Sequence, residues 1–123
     1  MTPQTAPAAR ALEHPERTAI RLEGVLHALS DPMRLHVVRT LAAAETELAC
    51  SDVELPVSKS TTTHHFRVLR EAGVIEQNYR GTSKMSGLRR EDLDALFPNL
   101  LDSVLAAAEG QCERIHPGAT AAR

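Results

Sequence analysis

The stretch from Ser58 to Gly73 limits what this chain can fold into more than any other part of it. Ser58 is a residue of the N-cap type, residues 59–72 contain neither Gly nor Pro, and Gly73 can adopt the left-handed conformation that closes a helix. A helix over residues 59–72 follows, with both ends signalled. Directly after it, residues 74–80 and 84–89 flank Gly81-Thr82-Ser83 and read as two short strands around a turn, a β-hairpin. The strongest local signals therefore dictate a helix that runs straight into a hairpin.

Other helices surround this pair. Over residues 16–29, Ile20, Leu22, Val25, Leu26 and Leu29 fall near the spacing of one helical face. Ser30-Asp31-Pro32 stops that helix and starts another over residues 32–44, with Asp31 or Ser30 as N-cap, Pro32 at the first helical position, and Leu35, Val38, Leu41 and Ala42 facing inward. Residues 45–56 hold a break and a short helix around residues 49–54, ended by Pro56. From Glu91, Leu93, Leu96, Phe97, Leu100, Leu101, Val104, Leu105 and Ala108 keep a helical stripe that Pro98 kinks or restarts. The segments at either end, Thr/Pro/Ala-rich in residues 1–15 and small and polar over residues 116–123, read as disordered tails. The domain organisation expected is an N-terminal tail over 1–15, one folded domain over 16–110, and a C-terminal tail over 111–123.

With 123 residues and only Tyr79, Phe66 and Phe97 as aromatics, a lone monomer would have a thin core, so burial through dimerisation is expected. Cys50 and Cys112 are too few for a disulfide framework and fit a reducing compartment. No apolar run reaches the roughly 18 residues of a membrane span, and residues 1–10 hold no signal-peptide core, so a cytoplasmic location without a membrane partner is expected. Abundant Ala, and Arg far in excess of Lys, hint at a bacterial genome rich in G and C.

The net charge of −2 conceals an uneven distribution. Residues 58–90 carry seven basic side chains (Lys59, Arg67, Arg70, Arg80, Lys84, Arg89 and Arg90) against Glu71 and Glu76. A basic block on a helix and hairpin is the electrostatic footprint of a phosphate-binding surface; a solvated face is the plainer reading of charge alone. At about 100° per residue, Lys59, Ser60, Thr63, His64, Arg67 and Arg70 share one arc of the helix, and Thr62, Phe66, Leu69 and Ala72 the opposite one. One face packs and the other presents donors. Short hydroxyl side chains suit close approach to a DNA backbone and to base edges. A helix reached through a short helix and a turn, then a hairpin with Arg80 and Lys84 flanking its tip, is the order of a winged helix-turn-helix, whose second helix enters the major groove while the wing follows the backbone. A winged helix used only for protein contacts is the competing reading.

The segments LHALSDPMRLHVVRTL (residues 26–41), SKSTTTHHFRVLREAGVIE (58–76) and YRGTSKMSGLRREDLD (79–94) closely resemble ArsR-family winged helix-turn-helix regulators. The resemblance implies a fold that is mainly α with a small β-hairpin, and an α-helical dimer interface made by the first and last helices. It also implies a homodimeric repressor that leaves a double-stranded DNA operator when an effector binds. Carried over by position, Ser58 and Thr61 touch phosphate, and Lys59, Ser60, Thr63 and His64 approach bases. His65 aligns with a recurrent family histidine, and a structural role is the better reading for it.

Many relatives bind metal through paired thiolates near the short helix or through carboxylates and imidazoles on the last helix. This chain departs from both patterns, since Cys50 stands alone where a Cys-x-Cys pair is needed and the last helix has no His before His116. Cys112 and His116 lie four apart, which is half a site. Cys50, Cys112 and His116 remain the metal candidates, Cys50 with Cys112 the redox candidate, and no cofactor is expected. The alternative to an effector is control by abundance or by a protein partner. Catalysis is not expected: His64 and His65 point about 100° apart with no carboxylate to orient either ring, and the chain has no phosphate-cradling Gly loop, His-Glu-x-x-His or Gly-x-Ser-x-Gly.

Overall fold

The computed structural model describes residues 12–117 and falls into two compact units that divide between Arg89 and Arg90. The sequence reading expects a single domain over 16–110. Of the tails expected over 1–15 and 111–123, residues 1–11 and 118–123 lie outside the described residues.

The first unit holds α1 (Leu22–Leu29), α2 (Pro32–Ala44), β1 (Leu48–Ala49), α3 (Lys59–Glu71), β2 (Ile75–Arg80) and β3 (Ser83–Leu88). Val25, Ala28, Val37, Val38, Leu41, Phe66, Leu69, Val74 and Ile75 are buried in its core, where α1, α2 and α3 pack on one another, α2 on β3 and α3 on β2. Each fully buried Leu, Val, Ile or Phe contributes about 1.5–3 kcal/mol. The second unit is α4 (Arg90–Leu96) followed by α5 (Leu100–Ile115). Pro98 therefore restarts the helix rather than bending it, with Asn99 in the left-handed region at φ 69°. The last helix continues to Ile115, through residues the sequence reading assigns to the C-terminal tail.

Three expectations need correction. The helix expected over residues 16–29 begins only at Leu22; a 3-10 turn at Arg17–Ala19 and extended backbone at Ile20 and Arg21 precede it. The extended backbone brings Ile20 against Gly73, and Ile20 is buried while Leu22 and Leu26 stay exposed. On α2 the buried positions are Arg34, Val37, Val38 and Leu41, whereas Leu35 and Ala42 are only half-buried. The short helix expected around residues 49–54 is a two-residue strand, Leu48–Ala49, followed by one 3-10 turn, Cys50–Asp52. That strand pairs antiparallel with β3, through Leu48 with Ser86 and Ala49 with Met85, so the hairpin is part of a three-stranded sheet of order β1-β3-β2.

Residues 12–15, assigned by composition to the N-terminal tail, lie along the first unit. The Nε2 of His14 accepts the backbone N–H of Gln77 at 2.9 Å. Arg70 Nε donates to the Glu13 carbonyl (3.2 Å) and Arg89 Nη1 to the Pro15 carbonyl (2.9 Å). The Thr/Pro/Ala-rich composition of residues 1–15 as a whole hides this, while three side-chain bonds hold residues 13–15.

Candidate nucleic-acid interface

The capping chemistry of α3 sets its position. Ser58 Oγ accepts from Thr61 N at 3.2 Å and donates to Thr61 Oγ1 at 2.9 Å, fixing the first turn. At the other end Gly73 has φ +87°, its N–H donates to the Arg70 carbonyl (3.0 Å), and Val74 N donates to the Leu69 carbonyl (3.0 Å). This is a Schellman closure, and it turns the chain at once into β2. Leu69 and Val74, which share that last bond, are both fully buried. The helix and the hairpin are thus joined rigidly.

His65, Phe66 and Leu69 form the buried face of α3. Arg34, at 8% exposure, donates from Nε to the Ala28 carbonyl (2.8 Å) and from Nη2 to the His27 carbonyl (3.4 Å), which satisfies the C-terminal end of α1. Its Nη1 lies 3.3 Å from His65 Nδ1. A guanidinium can only donate, so Nδ1 is the acceptor, and one arginine ties α1 and α2 to α3. His65 is accordingly a packed, hydrogen-bonded histidine. Asp31, the N-cap of α2, accepts from Met33 N (2.9 Å) and Arg34 N (3.1 Å). Burial pushes its carboxyl pKa up, but those two N–H bonds and the nearby charge of Arg34 outweigh burial and hold it below the usual value.

On the opposite face, Lys59, Ser60, Thr63, His64 and Arg67 are all exposed, as are Ser58 and Thr61 at the N-terminal turn. Arg70 departs from this set. It is half-buried and donates from Nη1 to Gln77 Oε1 at 2.6 Å, so it belongs to the interior rather than to the presented arc.

The hairpin loop has two residues, since Arg80 pairs with Ser83. Gly81 takes φ +65° and Thr82 does not, the pattern of the Gly-first hairpin loops whose twist matches the strands. Strand alternation then separates the two predicted wing residues. Tyr79 and Lys84 are cross-strand partners, with the Lys84 Nζ 5.8 Å from the Tyr79 ring centre. They share the sheet face of Gln77 and Ser86, both buried. Arg80 and Ser83 lie on the other face. There Arg80 donates from Nε (3.0 Å) and Nη2 (2.7 Å) to a single carboxylate oxygen of Glu47. Four of the seven basic residues are therefore engaged internally: Arg70, Arg80, Arg89, and Arg90 with Asp102 at 2.9 Å. Among the described residues Lys59, Arg67 and Lys84 are the basic side chains of this block with no hydrogen-bond or ion-pair partner. Sequence reasoning missed Arg34, Glu47 and Gln77 because each acts through a partner far away in the chain.

Cys50 and Cys112 are both free thiols of intermediate exposure. Cys50 Sγ lies 3.5 Å from Ser86 Oγ, and Gln77 Nε2 donates to both, at 3.6 Å to sulfur and 3.1 Å to the hydroxyl. Cys112 and His116 are on the last turn of α5, where the His116 N–H caps the Cys112 carbonyl. Among the described residues no group of three or more His, Cys, Asp or Glu is placed to hold a metal ion. No helix among them is long and apolar enough to cross a membrane.

A three-helix unit whose last helix presents a polar, basic face and runs into a wing is a winged helix-turn-helix, the fold of a DNA-binding transcriptional regulator. Comparison with known proteins agrees. A family model described as a helix-turn-helix domain matches residues 29–78. An uncharacterized HTH-type transcriptional regulator of Bacillus subtilis (strain 168), YceK, is 33% identical over 82 residues, which span 65% of this chain and 82% of that protein. Among solved structures, the transcriptional repressor BigR from Xylella fastidiosa superposes with a TM-score of 0.50 at 26% identity, over 62% of this chain and 85% of that one. An ArsR family transcriptional regulator shares the fold at a TM-score of 0.55 and 21% identity, over 80% of this chain and 98% of that one. The chain belongs to the HTH-type transcriptional regulators, and it shares its fold with an ArsR family member. Its relatives are regulators of transcription, not enzymes.

Proposed function

We propose that this protein is a homodimeric repressor in which α3 enters the major groove of its operator and the hairpin follows the backbone. The observation that carries the reading is the division of α3, with His65, Phe66 and Leu69 buried while Lys59, Ser60, Thr63, His64 and Arg67 are exposed. Ser58 and Thr61 bind phosphate, Lys59, Ser60, Thr63 and His64 reach bases, and Arg67 and Lys84 bind the backbone. Arg80 joins them only by leaving Glu47. The repressor assignment follows BigR, which carries that description.

Dimerisation through the first and last helices is supported by Leu22 (43% exposed) and Leu26 (46%), one turn apart on α1, and by Ile115 (60%) at the end of α5. Residues 16–110 then serve as one DNA-binding and dimerisation domain. Two-fold symmetry sets the two recognition helices about 34 Å apart, one DNA turn, on a near-palindromic site. An effector that favours a dimer with a different spacing weakens DNA binding in proportion to that preference.

The test is fluorescence anisotropy against the duplex upstream of the protein's own gene and a scrambled duplex, across a salt series. Arg67→Ala and Lys84→Ala should weaken binding to both duplexes and reduce the salt slope by about 1 each, whereas Lys59→Ala and His64→Ala should narrow the gap between the duplexes. Unchanged binding in all four variants refutes the surface.

A further inference from the structure

The amino-terminal half of α3, the hairpin tip and the segment after β1 together enclose a cleft of about 380 Å³. The volume lies within the range of small-molecule pockets. Lys59 and Thr63 of α3 line it on one side, Lys84 on another, and Ala49, Cys50 and Thr62 also contribute; no carboxylate is among its lining residues. Among the described residues neither lysine is in an ion pair, in contrast to Arg80 and Arg90. Two lysines without an ion pair among the described residues therefore line a recess whose other lining residues are Ala, Cys, Ser and Thr. The Cys50 side is held in place by its contacts with Gln77 and Ser86, which are 1% and 0% exposed, so the recess has a fixed wall.

We propose that this cleft binds a small organic anion, an acidic group on a compact apolar body, and that its occupant competes directly with DNA. The acidic group is met by Lys59 and Lys84, and the body lies against Ala49, Thr62 and the Cys50 sulfur. Competition follows from shared residues: Lys59, Thr63 and Lys84 cannot serve a ligand in the cleft and the DNA at once. This inference rests on the DNA-binding reading above for its consequence, but not for the binding itself. It adds an input distinct from any change in dimer spacing, because it acts on each α3 separately.

Phenyl phosphate is a suitable probe, with sulfate at matched ionic strength as the charge control. Calorimetry on the intact protein without DNA tests the cleft, and anisotropy with the upstream duplex tests competition. Ala49→Leu fills the cleft at a position outside the DNA-contacting set. The expected result is phenyl phosphate binding that Ala49→Leu weakens by about tenfold or more. The apparent DNA affinity of the native protein should fall in proportion to the probe without a plateau, while Ala49→Leu keeps its DNA affinity. A probe that binds no better than sulfate, or binds Ala49→Leu equally, overturns the proposal. So does an equal loss of probe and DNA binding in Ala49→Leu, which would make the cleft a seat for a DNA phosphate. Probe binding by a native protein that binds no duplex would instead refute the DNA-binding reading and leave the cleft standing.

Discussion

Replacing Gly73 by Ala should be the most damaging single-methyl change in the first unit. The backbone there has φ +87°, and a Cβ built on it falls 2.5 Å from Ile20 Cγ1 and 2.7 Å from Ile20 Cδ1. Ordinary carbon contacts lie at about 3.5–4.0 Å, so Ile20 would have to retreat by roughly 1 Å. A left-handed conformation costs a non-Gly residue about 1–2 kcal/mol. Forcing a methyl into a packed contact adds about 1–3 kcal/mol. Ala restricts the unfolded chain and returns about 0.4–1 kcal/mol. The net loss is about 2–4 kcal/mol. Gly81 provides the control, with φ +65° and open space around the same methyl, so Gly81→Ala meets the strain without the clash and should lose only about 1 kcal/mol. Thermal unfolding followed by circular dichroism at one fixed protein concentration should show Gly73→Ala lowered by roughly 10–20 °C and Gly81→Ala by about 5 °C. Adding Ile20→Ala to Gly73→Ala should recover part of the loss relative to the sum of the two single changes. Equal shifts for the two glycine variants, or strict additivity with Ile20→Ala, would show that Ile20 yields freely and refute the clash.

Two further outcomes follow from the charged and titratable contacts. Glu47→Gln releases Arg80 from its carboxylate and should tighten binding to any duplex, with a salt slope steeper by about 1; an unchanged slope would mean that Arg80 never reaches DNA. His14 accepts a backbone N–H and must be neutral to do so. Burial pushes its pKa below the ordinary 6.5, helped by the charges of Arg70 and Arg89 and opposed by the Leu12 carbonyl and Glu76. The unfolded chain therefore binds the proton first: stability is complete above about pH 6.5, falls as pH drops below it, and levels off beneath the lowered folded-state value. The difference in urea midpoint between the native protein and His14→Ala should follow this curve, and a difference that does not vary with pH would sink the assignment.

The sequence was legible where one residue's own chemistry decides the backbone. Asp31 followed by Pro32 marks the start of α2, Ser58 and Gly73 bracket α3, and Gly81 marks the hairpin loop. It was illegible where a distant partner decides. α2 ends on Glu45 at φ 59°, a left-handed residue with no glycine to announce it. No Gly or Pro marks the extended step at Ile20 and Arg21, which exists because Ile20 fills the space over Gly73. A two-residue strand such as Leu48–Ala49 has no periodicity to detect and is defined only by the partner it finds on β3. The candidate interface divides in the same way. The helical period sorted Lys59, Thr63, His64 and Arg67 correctly onto the exposed face, but counting charges could not reveal that Arg70 and Arg80 have partners elsewhere in the chain.

The unequal lengths of the strands have a mechanical consequence. β1 supports β3 only at Ser86 and Met85, so the rungs that join Tyr79 to Lys84 and Arg80 to Ser83 stand beyond it with a neighbour on one side. Two-stranded ribbons are only marginally stable on their own, and three-stranded ones are stiffer. The wing is therefore a cantilever, clamped at its root and compliant at its tip. Its root keeps the direction of the arm constant relative to α3, and the last two rungs are free to bend.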